Sequence, residues 1–172
     1  VSTTSNEKHL EFERSGFIPY VISIDEITQE INDFLIADVL IIAIPSKNIN
    51  GFKKLISEIE KTDIKQIIFI SSTSVYENSD EIIDENSPLI SSPLVEIEKL
   101  LIQKVAKKTT IIRFAGLFGY KRHPGKFFSK GRLIPQPESL VNMIHQDDCV
   151  GIIDRIIEMK ICGEIFNACA DN

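Results

Sequence analysis

The sequence predicts an α/β domain built on a Rossmann-like parallel sheet with helices on both faces. Two observations carry this. Short continuous apolar runs alternate with amphipathic helical patterns, and no Pro/Gly/Ser-rich linker or internal repeat divides the chain. Continuous runs suit strands buried on both faces, which is the environment of a parallel sheet. Strand, helix, strand at this spacing makes βαβ units. The right-handed crossover then distributes helices to both faces.

The elements follow in order. Residues 38–44 form the first aliphatic run, 66–71 the second and 109–113 the third. Between the first two, residues 50–61 place Phe52, Leu55, Ile56 and Ile59 on one helical face. Between the second and third, Val95, Ile97, Leu100, Leu101 and Val105 mark another helix. Residues 147–159 read as a further helix, with an N-cap expected near Gln146 or Asp147. His9 lies in the first helical pattern and is expected at the surface.

The 172 residues suit one domain, 1–172, with a proper core. Hydrophobic residues at 43% and charged ones at 26% give an ordinary globular balance and exclude disorder. The net charge of −6, without a Lys/Arg cluster, argues against a nucleic-acid partner. No apolar run approaches a membrane span. Residues 1–5 lack the basic and apolar regions of a signal peptide. Cys149, Cys162 and Cys169 form no CxxC pair, which argues against a disulfide framework or a metal site. They are expected to be reduced core thiols in a cytoplasmic protein.

In sheets of this kind, ligands bind outside the carboxyl ends of the strands. Those ends are Ala43-Ile44-Pro45-Ser46, Ser71-Ser72-Thr73-Ser74 and Arg113-Phe114-Ala115-Gly116. Each turns from apolar to small or polar residues where a ligand would sit. The second is the most informative: a buried strand opens into consecutive hydroxyl residues followed by Val75-Tyr76.

Downstream stand Arg113 to Gly119, then Val141-Asn142-Met143-Ile144-His145-Gln146-Asp147, then Gly163-Glu164-Ile165-Phe166-Asn167. This ordered series resembles the extended short-chain dehydrogenase/reductases, also called NAD-dependent epimerase/dehydratases. The likeness is greatest to an atypical branch that carries SSTSVY followed by RHPG, here Arg122-His123-Pro124-Gly125. It covers almost the whole chain. The resemblance implies NAD or NADP lying across the strand ends and a small-molecule substrate, such as a nucleotide-sugar. The family's catalytic Ser/Thr falls on Ser72, whose hydroxyl would bond the oxygen at the reacting carbon. Ser71 and the segment Arg113, Ala115, Gly116 and Leu117 would flank the cofactor. Ala43, Ile44 and Pro45 would meet its ribose side. Thr73, Arg122, Asn142 and His145 would face the substrate, with Tyr76 or His123 handling the proton.

Two departures qualify this. The family's pyrophosphate fingerprint needs glycines after the first strand, where backbone approaches phosphate. No GxG exists in this chain. The resemblance instead matches Ser2, Thr3 and Thr4 to the end of the family's second strand, where the adenine ribose or its 2′-phosphate is read. No Asp follows to claim a ribose diol, which leans the cofactor towards NADP. The expectation is a chain lacking the first βα unit, with an open sheet position and pairing to a partner, such as a homodimer, or a rearranged sheet.

The second departure is the base. The family pairs a Tyr with a Lys four residues later, which lowers the phenol's pKa. Tyr20, Tyr76 and Tyr120 are followed at that spacing by Ile24, Asp80 and Pro124. Aligning the helix on Glu98 puts Ile90 and Leu94 in the paired positions. A non-catalytic cofactor-binding module, a sensor or an inactive fragment therefore stands beside the enzyme reading. The acidic run 77–85 reads as a solvated loop. His145 with Asp147 invites comparison with a Ser-His-Asp triad, but there is no GxSxG elbow.

Overall fold

The aliphatic runs become the central strands of a parallel sheet. The computed structural model describes residues 1–79, 81–127 and 141–170. Strand β1 (Ser2–Thr3) leads to helix α1 (Asn6–Arg14), β2 (Tyr20–Val21) and α2 (Ile31–Phe34). Then come β3 (Val39–Ile42), α3 (Ile49–Ile59), β4 (Gln66–Ser72), α4 (Pro93–Val105) and β5 (Thr109–Phe114). The chain continues through β6 (Gly116–Phe118), β7 (Met143–His145), α5 (Gln146–Glu158) and β8 (Ile165–Ala168).

The main sheet runs β3-β4-β5-β8, all parallel. Two short parallel ribbons, β1-β2 and β6-β7, stand beside it. Strand alternation sorts the core into two layers. Ile67, Phe69 and Ile111 face α3 and α4, meeting Phe52, Leu55, Ile59, Ile97 and Leu101. Phe52 and Phe69 meet edge to face with centroids 6.0 Å apart. Ile68, Ile112 and Phe114 take the opposite face, where they meet Cys149 and Ile156 of α5. Each such aliphatic side chain contributes roughly 1.5–3 kcal/mol on burial, so the layering of this fold follows directly from the period of two.

The helix starts are built by local side chains. Asn48 Oδ1 accepts from the Gly51 amide at 3.0 Å, which starts α3 at Ile49, one residue earlier than the sequence pattern. Ser92 Oγ caps α4 from Val95, with Pro93 in the first turn. The cap of α5 is His145, not Gln146 or Asp147: its Nδ1 accepts from the Asp147 amide at 3.3 Å. The expectation for the cysteines needs a correction too. Only Cys149 is buried; Cys162 is half-buried in the turn before β8, and Cys169 is exposed just past its end. No helix among the described residues is long and apolar enough to cross a membrane.

Candidate active site at the strand ends

Register brings the polar strand ends side by side. Ser71 of β4 pairs with Arg113 of β5, and Arg113 with Asn167 of β8. The next row is Ser72, Phe114 and Ala168. Alternation sends the two rows to opposite faces of the sheet.

The first row is a buried polar network on the α4 side. Arg113 is 2% exposed, and its Nη2 donates to Glu98 Oε2 at 2.7 Å. Its Nε reaches Glu98 Oε1 at 3.2 Å, so the pair is bidentate. Ser71 Oγ donates to Glu98 Oε1 at 2.6 Å. Arg113 Nη1 donates to the Tyr76 hydroxyl at 2.6 Å, which donates in turn to Asn167 Oδ1 at 2.7 Å. Burial works against the Arg113 charge, but the Glu98 carboxylate and the Tyr76 hydroxyl outweigh it and hold the guanidinium above its ordinary range. Both hydrogen-bonding directions of the Tyr76 phenol are thus engaged.

The acidic run is not wholly solvated. Glu85 is half-buried, its Oε1 accepts from the Asn167 amide at 2.6 Å, and its carbonyl accepts from Arg113 Nη1 at 3.3 Å. Glu85 therefore ties the loop after β4 to the end of β8.

The second row carries the open chemistry. Ser72 is half-buried, and its Oγ accepts from the Ser74 amide at 3.1 Å as the cap of a 3₁₀ turn, Thr73–Val75. Its O–H is directed at no acceptor among the described hydrogen bonds. Thr73 beside it is half-buried as well. Across the sheet, Ala43 and Pro45 are exposed and Ile44 is half-buried. Past β5, Ala115 is buried, while Gly116 and Leu117 are exposed on β6.

The remaining candidates lie on the flanks. The β6-β7 ribbon carries Asn142, exposed, whose carbonyl accepts from the Gly116 amide at 3.1 Å. His145 sits between Phe118 and Tyr120, with ring centroids 5.1 and 5.5 Å away. Tyr120 donates to Asp147 Oδ2 at 2.6 Å, and that carboxylate raises the phenol's pKa. Arg122 Nε donates to the Leu117 carbonyl at 2.9 Å. His123 is exposed, and its Nδ1 accepts from the Gly125 amide at 3.1 Å. Ser2 and Thr4 are exposed, while Thr3 Oγ1 accepts from the Ser5 amide at 3.2 Å.

The glycines at the strand ends are occupied with packing. A Cβ on Gly116 would meet Met143 Sδ at 2.7 Å, and one on Gly119 would run into the Gln146 side chain. A Cβ on Gly51 would strike the Ile24 carbonyl oxygen. These glycines let elements approach each other and do not line an open phosphate cradle.

Glu98 was legible only as an alignment mark, yet it organises the buried row. A signal for it existed. An Arg inside an apolar strand requires a buried counter-charge. Glu98 stands three residues after Val95 and three before Leu101, on the inward stripe of α4.

A parallel α/β sheet with hydroxyl and small residues at its carboxyl ends defines a Rossmann-like domain. Its fold is similar to those of solved proteins such as UDP-glucuronic acid 4-epimerase and UDP-glucose 4-epimerase. Solved relatives include a conserved protein of unknown function from Silicibacter pomeroyi, at TM-score 0.74 and 20% identity, matching 99% of this chain and 63% of that one. The UDP-glucuronic acid 4-epimerase of Bacillus cereus, solved with UDP-glucuronic acid and NAD, matches at TM-score 0.73 and 22% identity, over 98% of this chain and 65% of its own. In sequence, the chain is 31% identical over 156 residues to Protein YeeZ of Escherichia coli K12, covering 83% of this chain. The chain spans 57% of that protein's length. No family model matches.

Proposed function

We propose that this chain forms the strand-end part of an NAD(P)-dependent epimerase/dehydratase or reductase-like protein, acting on a hydroxyl or carbonyl of a small polar metabolite such as a nucleotide-sugar. The observation that carries this reading is Ser72. It ends a central strand, is partly open, accepts one hydrogen bond from Ser74 and keeps its O–H for an outside acceptor. That is the arrangement a donor to a reacting carbonyl or alkoxide oxygen needs.

A bound nicotinamide supplies hydride exchange at the carbon bearing that oxygen. The residues here suit its ribose–nicotinamide half: Ala43, Ile44 and Pro45 on one side, Ser71, Arg113, Ala115, Gly116 and Leu117 on the other. Of these, Ser71 and Arg113 act from below, because their side chains are turned into the Glu98 network. The packed glycines do not suit the pyrophosphate. Ser2 and Thr4 offer hydroxyls to a 2′-phosphate, which favours NADP. His123 is the better proton carrier, because Tyr76 is held between Arg113 and Asn167. Thr73, Arg122, Asn142 and His145 would orient the substrate in a cytoplasmic enzyme.

NADPH and NADH titrations followed by nicotinamide fluorescence and thermal shift test the reading. At about a hundredfold excess over Kd, binding adds roughly 2.7 kcal/mol and raises Tm by several degrees. Absence of both signals overturns it. With a turned-over sugar nucleotide, Ser72→Ala is expected to keep cofactor binding and lose about 10²–10³ in kcat. Binding without turnover of any sugar nucleotide would favour the non-catalytic module, which the apolar Ile90 and Leu94 at the expected base positions would suit.

A further inference from the structure

Four residues close a ring of hydrogen bonds on the α4 side of the strand ends. The Asn167 amide donates to Glu85 Oε1 at 2.6 Å, and Asn167 Oδ1 accepts from the Tyr76 hydroxyl at 2.7 Å. Arg113 Nη1 donates to that hydroxyl at 2.6 Å and to the Glu85 carbonyl at 3.3 Å. Glu85 therefore enters the ring twice, once through its backbone and once through its carboxylate. The carboxylate has a definite task. The carbonyls of Glu164 and Ala168 accept from Ile111 and Ala115, so they face β5. Alternation turns the Asn167 amide away from β5, and among the described residues no strand pairs with it there. A donor so placed needs a partner, and an ionised oxygen is a strong one.

The segment 84–90 around Glu85 is itself tied down. Asp84 Oδ1 accepts from the Asn86 amide at 2.9 Å and from the Ser87 hydroxyl at 3.0 Å. Tyr76 and Leu89 form an antiparallel bridge, and the Ile90 amide donates to the Val75 carbonyl at 2.8 Å. Val75, Tyr76 and Val95 make a small buried cluster, with Leu89 and Leu94 packed against it. The short turn that carries Ser72 is thus gripped at both ends. Ser72 Oγ accepts from the Ser74 amide at 3.1 Å at its start. The Tyr76 amide donates to the Thr73 carbonyl at 3.2 Å at its end.

We propose that Glu85 is a positioning residue for Ser72, acting through Asn167 and the Tyr76 phenol. Its carboxylate fixes Asn167, and Asn167 with Arg113 fixes the phenol. The phenol in turn fixes the end of the turn that Ser72 caps. Holding that turn keeps the Ser72 O–H aimed at an outside oxygen, with no reorganisation left for the moment of reaction. The role of Ser72 rests on the function proposed above. The coupling of Glu85 to it does not, and no cofactor enters its measurement, so the two can fail separately.

Residue-resolved amide hydrogen exchange on the unliganded chain reads the coupling. Glu85→Ala removes the carboxylate and keeps the backbone carbonyl that Arg113 uses. Exchange is expected to speed about tenfold at Asn167 and about threefold or more at Tyr76 and Ser74. Leu40 and Ile42 in β3 should keep their rates, which separates the effect from general unfolding. Glu85→Gln should bring Tyr76 and Ser74 back to within about twofold of the parent, because a carboxamide oxygen still accepts from the amide. Glu81→Ala, at an exposed position of the same loop, should change none of these rates. In a Tyr76→Phe background, Glu85→Ala should still speed Asn167 but move Ser74 by less than about twofold. Unchanged exchange at Tyr76 and Ser74 in Glu85→Ala would leave Glu85 a tie for the loop alone and overturn the proposal. So would failure of Glu85→Gln to rescue. An equal effect on Ser74 with and without the Tyr76 hydroxyl would route the coupling along the backbone and overturn it too.

Discussion

Strands β5 and β3 are near-opposites in composition and in burial. β5 reads Thr-Thr-Ile-Ile-Arg-Phe and every residue in it is buried. β3 is wholly aliphatic and has a residue nearly half open to water. Position in the sheet decides the matter. β5 has β4 and β8 on its two edges, α4 on one face and α5 on the other. Among the described residues, β3 is hydrogen-bonded only to β4, and its buried residues Leu40 and Ile42 join the core on the α3 and α4 side. The lesson is that burial follows from neighbours. An arginine is carried inside when its charge and each of its guanidinium nitrogens find partners, and an isoleucine stays outside where no strand among the described residues pairs with that edge.

The comparison can be broken most sharply at Arg113. Arg113→Ala leaves the Glu98 carboxylate buried without its counter-charge, and is expected to destabilise by about 3–5 kcal/mol in chemical denaturation. Combining Arg113→Met with Glu98→Leu should recover part of that loss, since no lone charge remains. A cost under about 1 kcal/mol for the single variant would mean that the buried pair does not hold the strand ends together. Next in size is Ile42→Ala. It opens a cavity on the buried side of β3 and should cost about 2–5 kcal/mol. Tyr76→Phe removes the hydroxyl between Arg113 and Asn167 and should cost about 1–3 kcal/mol by the same measurement.

At the small end, Ile41→Thr should stay within about 0.5 kcal/mol, despite standing one residue from Ile42. Equal losses at the two positions would mean that both faces of β3 are covered. The thiols sharpen the contrast without an energy. Exposed Cys169 should react first with a disulfide reagent. Burial and the neighbouring Asp148 raise the Cys149 pKa, so its thiolate is scarce and its labelling should stay slow as pH rises from about 7 to 9. Equal rates at the two sites would contradict the packing of α5.

Much of this was readable along the chain. The aliphatic runs at 38–44, 66–71 and 109–113 all became strands, because a long continuous apolar run has few other ways to hide both its faces. The polar change at the ends of β4 and β5 did mark residues that assemble. What could not be read was which hydroxyl faces which way. Ser71 and Ser72 are neighbours of one type, yet one is turned into the Glu98 network and the other to the open face. Likewise β2, β6 and β7 are only two or three residues long, too short to leave a period. They exist because a neighbouring strand is there to pair with. Glu85 looked like any other carboxylate in an acidic loop, and only the amide of Asn167, 82 positions away, distinguishes it.

By itself the sequence determined the alternation of strand and helix, the two-layered core and the polar strand ends. Those depend on local periodicity and on the cost of exposing apolar surface. Tertiary structure alone decided two things. Arg113 and Glu98, fifteen positions apart, became one buried pair. The phenol of Tyr76 was taken up by partners from β5 and β8. Each of these turns on which distant groups arrive side by side, and hydrogen bonds and ion pairs act over ångströms in space, whatever the separation along the chain.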